Sequence, residues 1–254
     1  MYSIAVVAVN TFRETLRDKL LYNLVLFAIA LIGSSVLLGT LTIGEHARIV
    51  TDMGLASINL VGIIIAVFVG IGLVAKEIER RTIYTILARP VTRSQFVVGK
   101  YFGLVLTSSV NVGVMLLIFL ATLYINGLPM NGVIFQAVIL ILVEVFLMIA
   151  IALLFSSFSS TTLSAIFTLG VYIIGHLTTD LKGMAENSQS QAIQTIMTVL
   201  YHLCPNLEML NIKGPAASGT GVGLVYVASA ASYGLLYAGV LLTAACLIFQ
   251  RRDF

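Results

Sequence analysis

Two features of this 254-residue sequence carry residue types that can do chemistry, and they are of opposite kinds. One is a single carboxylate, Glu144, near the midpoint of an apolar run over 133–155. No other acidic or basic side chain lies well inside such a run, and an ionisable group held in apolar surroundings is a functional site by default. Three roles stand open for it: lining a path, pairing across a subunit boundary, or being held neutral and hydrogen-bonded to a neighbouring helix. The other feature is residues 76–100, KEIERRTIYTILARPVTRSQFVVGK, where eight charged side chains interrupt an otherwise almost continuously apolar chain. One central Lys, Arg or Asp costs about 2.5–3.5 kcal/mol in hydrocarbon, so this segment is aqueous and its work is done at a membrane surface.

Other chemistry is thinly supported. No nucleophile–base set and no metal-ligand set recurs at workable spacing. His46 reads as a solvated loop residue, and Cys204 and Cys246 as free thiols on opposite sides of a bilayer, since two cysteines define no disulfide framework. A phosphate-binding loop of the form G-x-x-x-x-G-K-[ST] is absent: Gly99-Lys100 is followed by Tyr101, and position 94 is serine. The expectation is a chain with no catalytic residues, no metal and no directly bound cofactor.

The elements that must position these residues follow from composition. Hydrophobic residues make up 59% and charged ones 10%, against about 45–50% and 25% in soluble domains. That is an all-α integral membrane protein. Crossing a ~30 Å hydrocarbon core takes about 20 helical residues, and six runs of low charge qualify: 20–43, 58–75, 101–124, 133–155, 161–178 and 222–249. The first is too long for a cleaved secretory signal. Of the fourteen Lys and Arg, eleven flank these runs on the side of the two termini and of 76–100; Arg48, Lys182 and Lys213 lie on the other. The positive-inside bias therefore predicts cytoplasmic termini and a cytoplasmic 76–100 segment, and it accounts for the net charge of +3 without any nucleic acid.

Two further helices and a short loop are expected before and after the 76–100 segment. Across residues 1–19 and into the first run, Ile4, Ala8, Phe12, Leu16 and Leu20 recur every four positions opposite Arg13, Glu14 and Arg17, so 1–19 reads as an in-plane elbow helix, or as a bent extension of the first span. The 44–57 segment reads as a short external loop. In the long external segment 179–221, Ile193, Ile196, Met197, Leu200 and Leu203 share a helical face until Pro205 stops the pattern. This amphipathic helix either acts as a lid or covers the ends of the spans.

The 76–100 segment reads as helix, break, helix. Glu77 and Arg81 support an extension of the second span, Pro90 ends it, and Thr92 with Gln95 forms a capping box that starts the next helix. Small residues Gly99 and Gly103 suit close packing at the base of the third span, as do Ala230, Gly234 and Ala238 on the sixth.

Glu77 and Glu79, Thr82, Ile86 and Leu87, Pro90, Thr92 and Arg93, then Gly99 and Lys100, together resemble the first cytoplasmic loop of the ABC type 2 permeases, the membrane subunits of ATP-binding-cassette exporters. Arg81 departs from the glycine many members have there. The basic tail Gln250–Phe254 and the six-span layout are similar to the family as well, and the likeness is nearest to the permeases associated with maturation of multi-copper enzymes such as nitrous oxide reductase. The resemblance implies a dimer of permeases, from this chain or a paralogue, in a bacterial or archaeal inner membrane. It implies a separate ATPase subunit that uses ATP and docks on a coupling helix, with Glu77, Glu79, Thr82, Leu87, Arg89, Pro90, Thr92, Arg93, Gly99 and Lys100 as coupling residues. An external accessory protein is a further possible partner. Two rivals remain: an ion-coupled transporter or channel, which the lack of paired broken helices and of carboxylate rings weakens, and a membrane anchor that recruits a cytoplasmic protein and transports nothing.

Overall fold

The computed structural model describes residues 2–42, 44–72, 92–178, 180, 181, 183 and 191–251, and every regular element among them is helical. In chain order these are α1 (Tyr2–Leu16), α2 (Lys19–Thr40), α3 (His46–Ile64), α4 (Arg93–Ile125), α5 (Gly132–Phe158), α6 (Thr161–His176), α7 (Gln191–Leu203), α8 (Lys213–Ser218) and α9 (Leu224–Arg251). α3 runs on through a π-helical turn, Ile65–Val69, to Gly72.

α5 is the hub. Its sequence is apolar around the whole circumference, the pattern of a helix buried on all sides, and seventeen of its residues are buried, from Ile134 to Ser157. α9, α4, α3, α6 and α8 all pack on it. α2 and α9 behave differently: most of each faces outward, with Leu26, Phe27, Leu37, Leu235, Leu236 and Val240 exposed. An outer ring of exposed Leu, Phe and Val around a sealed centre is a surface suited to lipid.

Among the described residues, five helices are long and apolar enough to cross a membrane: Leu21–Thr40, His46–Gly72, Arg93–Ile125, Gly132–Phe158 and Leu224–Arg251. They answer to five of the six expected runs. The remaining one, 161–178, holds α6, whose 16 residues span only about 24 Å at 1.5 Å each. It falls short of a ~30 Å core.

The expected 44–57 loop is corrected. α3 begins at His46, and Val50, Thr51, Gly54, Leu55 and Ser57 are already buried in its first turns. The charges that read as a loop sit on its outer side, where Glu45 and Arg48 pair at 3.7 Å and Asp52 is exposed. The third helix also starts earlier than a span at 101–124 requires. α4 has 33 residues, about 50 Å, longer than the hydrocarbon core is thick.

α1 is a helix of its own, separated from α2 by the turn at Arg17 and Asp18, and it packs along the first half of α4. Gly99 and Gly103 make this approach possible. A Cβ on Gly99 would lie 2.6 Å from Val7 Cβ, and one on Gly103 would lie 2.6 Å from Thr11 Cβ and 2.7 Å from the Ala8 carbonyl oxygen. The small face of α9 works alike: Ala230, Gly234 and Ala238 are buried, with Gly234 against Val143 of α5.

Past α7, which ends before Pro205 as the sequence predicts, the chain is tied down by tyrosines of α9. Tyr237 donates to the Leu203 carbonyl at 2.9 Å, Tyr233 accepts from the Asn206 amide at 2.9 Å, and Tyr226 donates to the Met209 carbonyl at 3.0 Å. Leu207, fully buried, donates its amide to the Gly175 carbonyl at 3.0 Å. The segment after α7 thus closes over the end of α6.

Candidate functional site

Glu144 is 1% exposed and stands where α5 meets α3 and α6. Its Oε2 accepts a hydrogen bond from Asn59 Nδ2 of α3 at 2.6 Å. Asn59, itself 2% exposed, accepts in turn from the Tyr172 hydroxyl of α6 at 3.1 Å. The other carboxylate oxygen, Oε1, faces Nε2 of His176, one turn beyond Tyr172, at 3.5 Å. That distance exceeds the 2.7–3.2 Å of a good N–H···O bond, and neither atom has another hydrogen-bond partner among the described residues. The histidine ring rests on the Tyr172 ring, centroids 4.7 Å apart, with Nδ1 3.2 Å from the Tyr172 backbone oxygen.

The four side chains sit together because of the helices that carry them. Burying a polar group without a partner costs roughly 2–7 kcal/mol against an apolar reference, so Glu144 in the hub requires donors from its neighbours. α3 delivers Asn59 nearly two turns before its π-helical segment, and α6 delivers Tyr172 and His176 four residues apart on one face. Of the three roles open to Glu144, the structure shows hydrogen bonding to a neighbouring helix. Its partners carry a weak signal in the sequence: Asn59 is a lone amide at the start of an apolar run, and His176 closes another.

The second group of expected site residues lies where α4 begins. Thr92 caps α4: its hydroxyl accepts from the Gln95 amide at 3.3 Å while the Thr92 amide donates to Gln95 Oε1 at 3.1 Å. Arg93 Nη1 donates to the Gln250 carbonyl in the last turn of α9 at 3.1 Å, and the Gln250 side-chain amide donates to Ser94 Oγ. Phe96 stacks on Phe249 with centroids 6.0 Å apart, in a small apolar cluster with Val97 and Ala245. Gly99 and Lys100 face α1. The Lys100 ammonium is buried 3.5 Å from the Glu14 carboxylate and 5.7 Å from the centre of the Phe96 ring. Glu77, Glu79, Thr82, Leu87, Arg89 and Pro90 lie outside the described residues.

Thr92, Arg93, Gly99 and Lys100 are thus all engaged within the chain: Thr92 caps α4, Arg93 ties it to α9, and Gly99 and Lys100 seat it on α1. Sequence reasoning found the cap from its local spacing and missed the joint beside it, where Phe249 and Gln250 reach Phe96 and Ser94 across more than 150 residues.

The comparisons with known proteins agree with this architecture. No curated protein matches the chain, but the family model described as "ABC-2 family transporter protein" matches residues 5–254. That match takes in α1, the hub, the start of α4 with its joint to α9, and the α9 tail, and with five helices apolar enough to span a bilayer it makes the chain a multi-pass membrane protein belonging to the ABC-2 transporter family.

Proposed function

We propose that this chain is the permease subunit of an ABC exporter, paired with a second permease and driven by a separate ATPase that docks on residues 76–100. One observation supports the reading beyond family membership: the helix that follows this charged segment is fastened within a few residues of its start to the end of α9, through Arg93, Ser94 and Phe96 against Phe249 and Gln250. A displacement of 76–91 by a partner would act on α4 and α9 together, and through α9 on the hub helix α5.

In this reading α1 lies in the membrane plane and braces the base of α4, with Gly99 and Lys100 seating it. Both termini are cytoplasmic, and the segment after α6 is external, where it offers a surface to an accessory protein such as those served by permeases of multi-copper enzyme maturation. Glu77, Glu79, Thr82, Leu87, Arg89 and Pro90 form or shape the docking surface, and Arg93 sets its aim.

Copurification tests the reading. A tagged wild-type chain, expressed with the ATPase encoded beside it, retains that ATPase and stimulates its hydrolysis. Deletion of 88–98 abolishes both while the chain still inserts in the membrane. Arg93→Glu, which sets a negative charge against the carbonyl end of α9, lowers stimulation. Full stimulation after the deletion would discard the ABC permease role in favour of an ion-coupled transporter or channel.

A further inference from the structure

The contacts of His176 bear on its tautomer, and the tautomer has a consequence for Glu144. Nδ1 lies 3.2 Å from the Tyr172 backbone oxygen. A carbonyl oxygen only accepts, so this contact is a hydrogen bond in the tautomer whose proton is on Nδ1. A neutral ring then has a lone pair, not a hydrogen, at Nε2. Glu144 Oε1 lies 3.5 Å from that nitrogen, and neither atom has any other hydrogen-bond partner among the described residues. Two acceptors facing each other in a sealed site repel, unless one further proton sits between them.

We infer that Glu144 and His176 form a buried proton-binding site, in which one proton shared between Oε1 and Nε2 latches α6 to the hub. The pair with its proton is neutral overall, whether the proton rests on the carboxyl or on the imidazole, and a neutral pair is the form that apolar surroundings tolerate. Asn59 supports it by donating to Oε2, which leaves Oε1 as the oxygen that takes the proton. A metal ion is a poor alternative occupant, because among the described residues no group of three His, Cys, Asp or Glu comes together to hold one. The His176 side chain is 21% exposed while Glu144 is sealed, so the proton enters and leaves by way of the imidazole. The site is independent of the ATPase-coupled reading and can fail without it.

Other titratable groups bear on the carboxylate from the elements around it. Tyr172 on α6 reaches it through Asn59, and Lys213 at the start of α8 and Glu208 in the preceding turn act on it with opposite signs. Lys213 is the rival explanation, a cation that answers the Glu144 charge without any shared proton.

The test uses the whole protein in lipid nanodiscs with ¹⁵N-labelled histidine. Its three histidines, His46, His176 and His202, are assigned by replacing each in turn. At pH 7 both ring nitrogens of His176 should read as proton-bearing or proton-sharing. Glu144→Gln, which fills the same space, should turn Nε2 into an ordinary lone-pair nitrogen, and Lys213→Met should leave the signals as they are. A ring with hydrogen on Nε2 and none on Nδ1, an unchanged Nε2 signal in Glu144→Gln, or loss of the signature in Lys213→Met would each overturn the site.

Discussion

The cluster around Glu144 and the joint around Ser94 both tie distant parts of the chain together through polar atoms, yet they sit at opposite extremes of burial. Asn59 and Glu144 are 2% and 1% exposed, with Tyr172 and His176 closing the third side. At the joint, the hydrogen bonds of Arg93, Ser94 and Gln250 are solvent-exposed, and only the Phe96–Phe249 stack beneath them is buried. A buried polar contact, once broken, leaves groups that water cannot reach, so it is held firmly and specifies one arrangement of helices. An exposed contact exchanges with water at little cost. The first arrangement suits a fixed centre and the second a place that moves.

The largest effect should come from breaking the sealed cluster at its middle. Asn59→Leu keeps an apolar volume at that position but strands Glu144 Oε2 and the Tyr172 hydroxyl together, both bonded only through Asn59 in the described structure. The sealed carboxylate oxygen at ~1–3 kcal/mol and the half-buried Tyr172 hydroxyl at about 1 kcal/mol put the loss at about 2–4 kcal/mol. Tyr172→Phe strands only the Asn59 oxygen and should cost about 1 kcal/mol, as single interhelical bonds in membranes contribute about 0.6 kcal/mol on average. Thermal unfolding of the purified protein in nanodiscs measures both. Equal losses for the two would mean that the cluster does not act as a chain through Asn59.

A change at the interface of α1 and α4 should fall between the two regions in magnitude. In Gly103→Val the new side chain meets the Ala8 carbonyl oxygen at 2.7 Å, a backbone atom that cannot turn aside, and Thr11 at 2.6 Å. α1 must lift, at about 1–3 kcal/mol for an overpacked contact. Thr15 is fully buried on α1, so a cysteine placed there, with Cys204 and Cys246 changed to serine, reports the movement. It should react slowly with a maleimide in the parent background and several-fold faster with Gly103→Val. An unchanged rate would mean that α1 is not seated on α4 by the two glycines.

The sequence shows the contacts that are local and hides those that are not, and the same two regions illustrate why. The capping box of Thr92 and Gln95 spans three residues, the stop at Pro205 acts on the helix just before it, and the small face of α9 repeats every four residues. Each is set by backbone geometry within a turn or two. Glu144 is legible as an oddity, since a lone carboxylate in an apolar run needs explaining, but its partners Asn59 and His176 stand 85 residues before it and 32 after it with nothing in the local pattern to link them. Helix ends mislead for a related reason. Glu45, Arg48 and Asp52 lower the apolarity of the first turns of α3 and read as loop, although a helix can carry charges on one side while Val50 and Leu55 bury the other. In 161–178 the apolar run outlasts the regular helix, which ends at His176.

The smallest effect on stability, and the sharpest on coupling, is expected at the joint itself. Gln250→Ala removes the amide that reaches Ser94 Oγ but leaves the Gln250 carbonyl that Arg93 engages and the Phe96–Phe249 stack. The lost bond is exposed, so water replaces it and the change in stability should stay within about 0.5 kcal/mol. Under the proposed function its consequence for coupling is larger, because Gln250 ties α9's last turn to the first turn of α4, where a push on 76–91 would arrive. With fewer points of attachment α4 can turn without carrying α9, and the partner ATPase should be retained on copurification yet stimulated several-fold less. Gln250→Glu offers a stricter version: it replaces the donor by an acceptor to which the Ser94 hydroxyl can donate and adds a charge beside Arg93, so it should recover most of the stimulation. If instead Gln250→Ala destabilised the chain as much as Asn59→Leu does, the joint would belong with the fixed centre, and the division between a sealed hub and a moving edge would be lost.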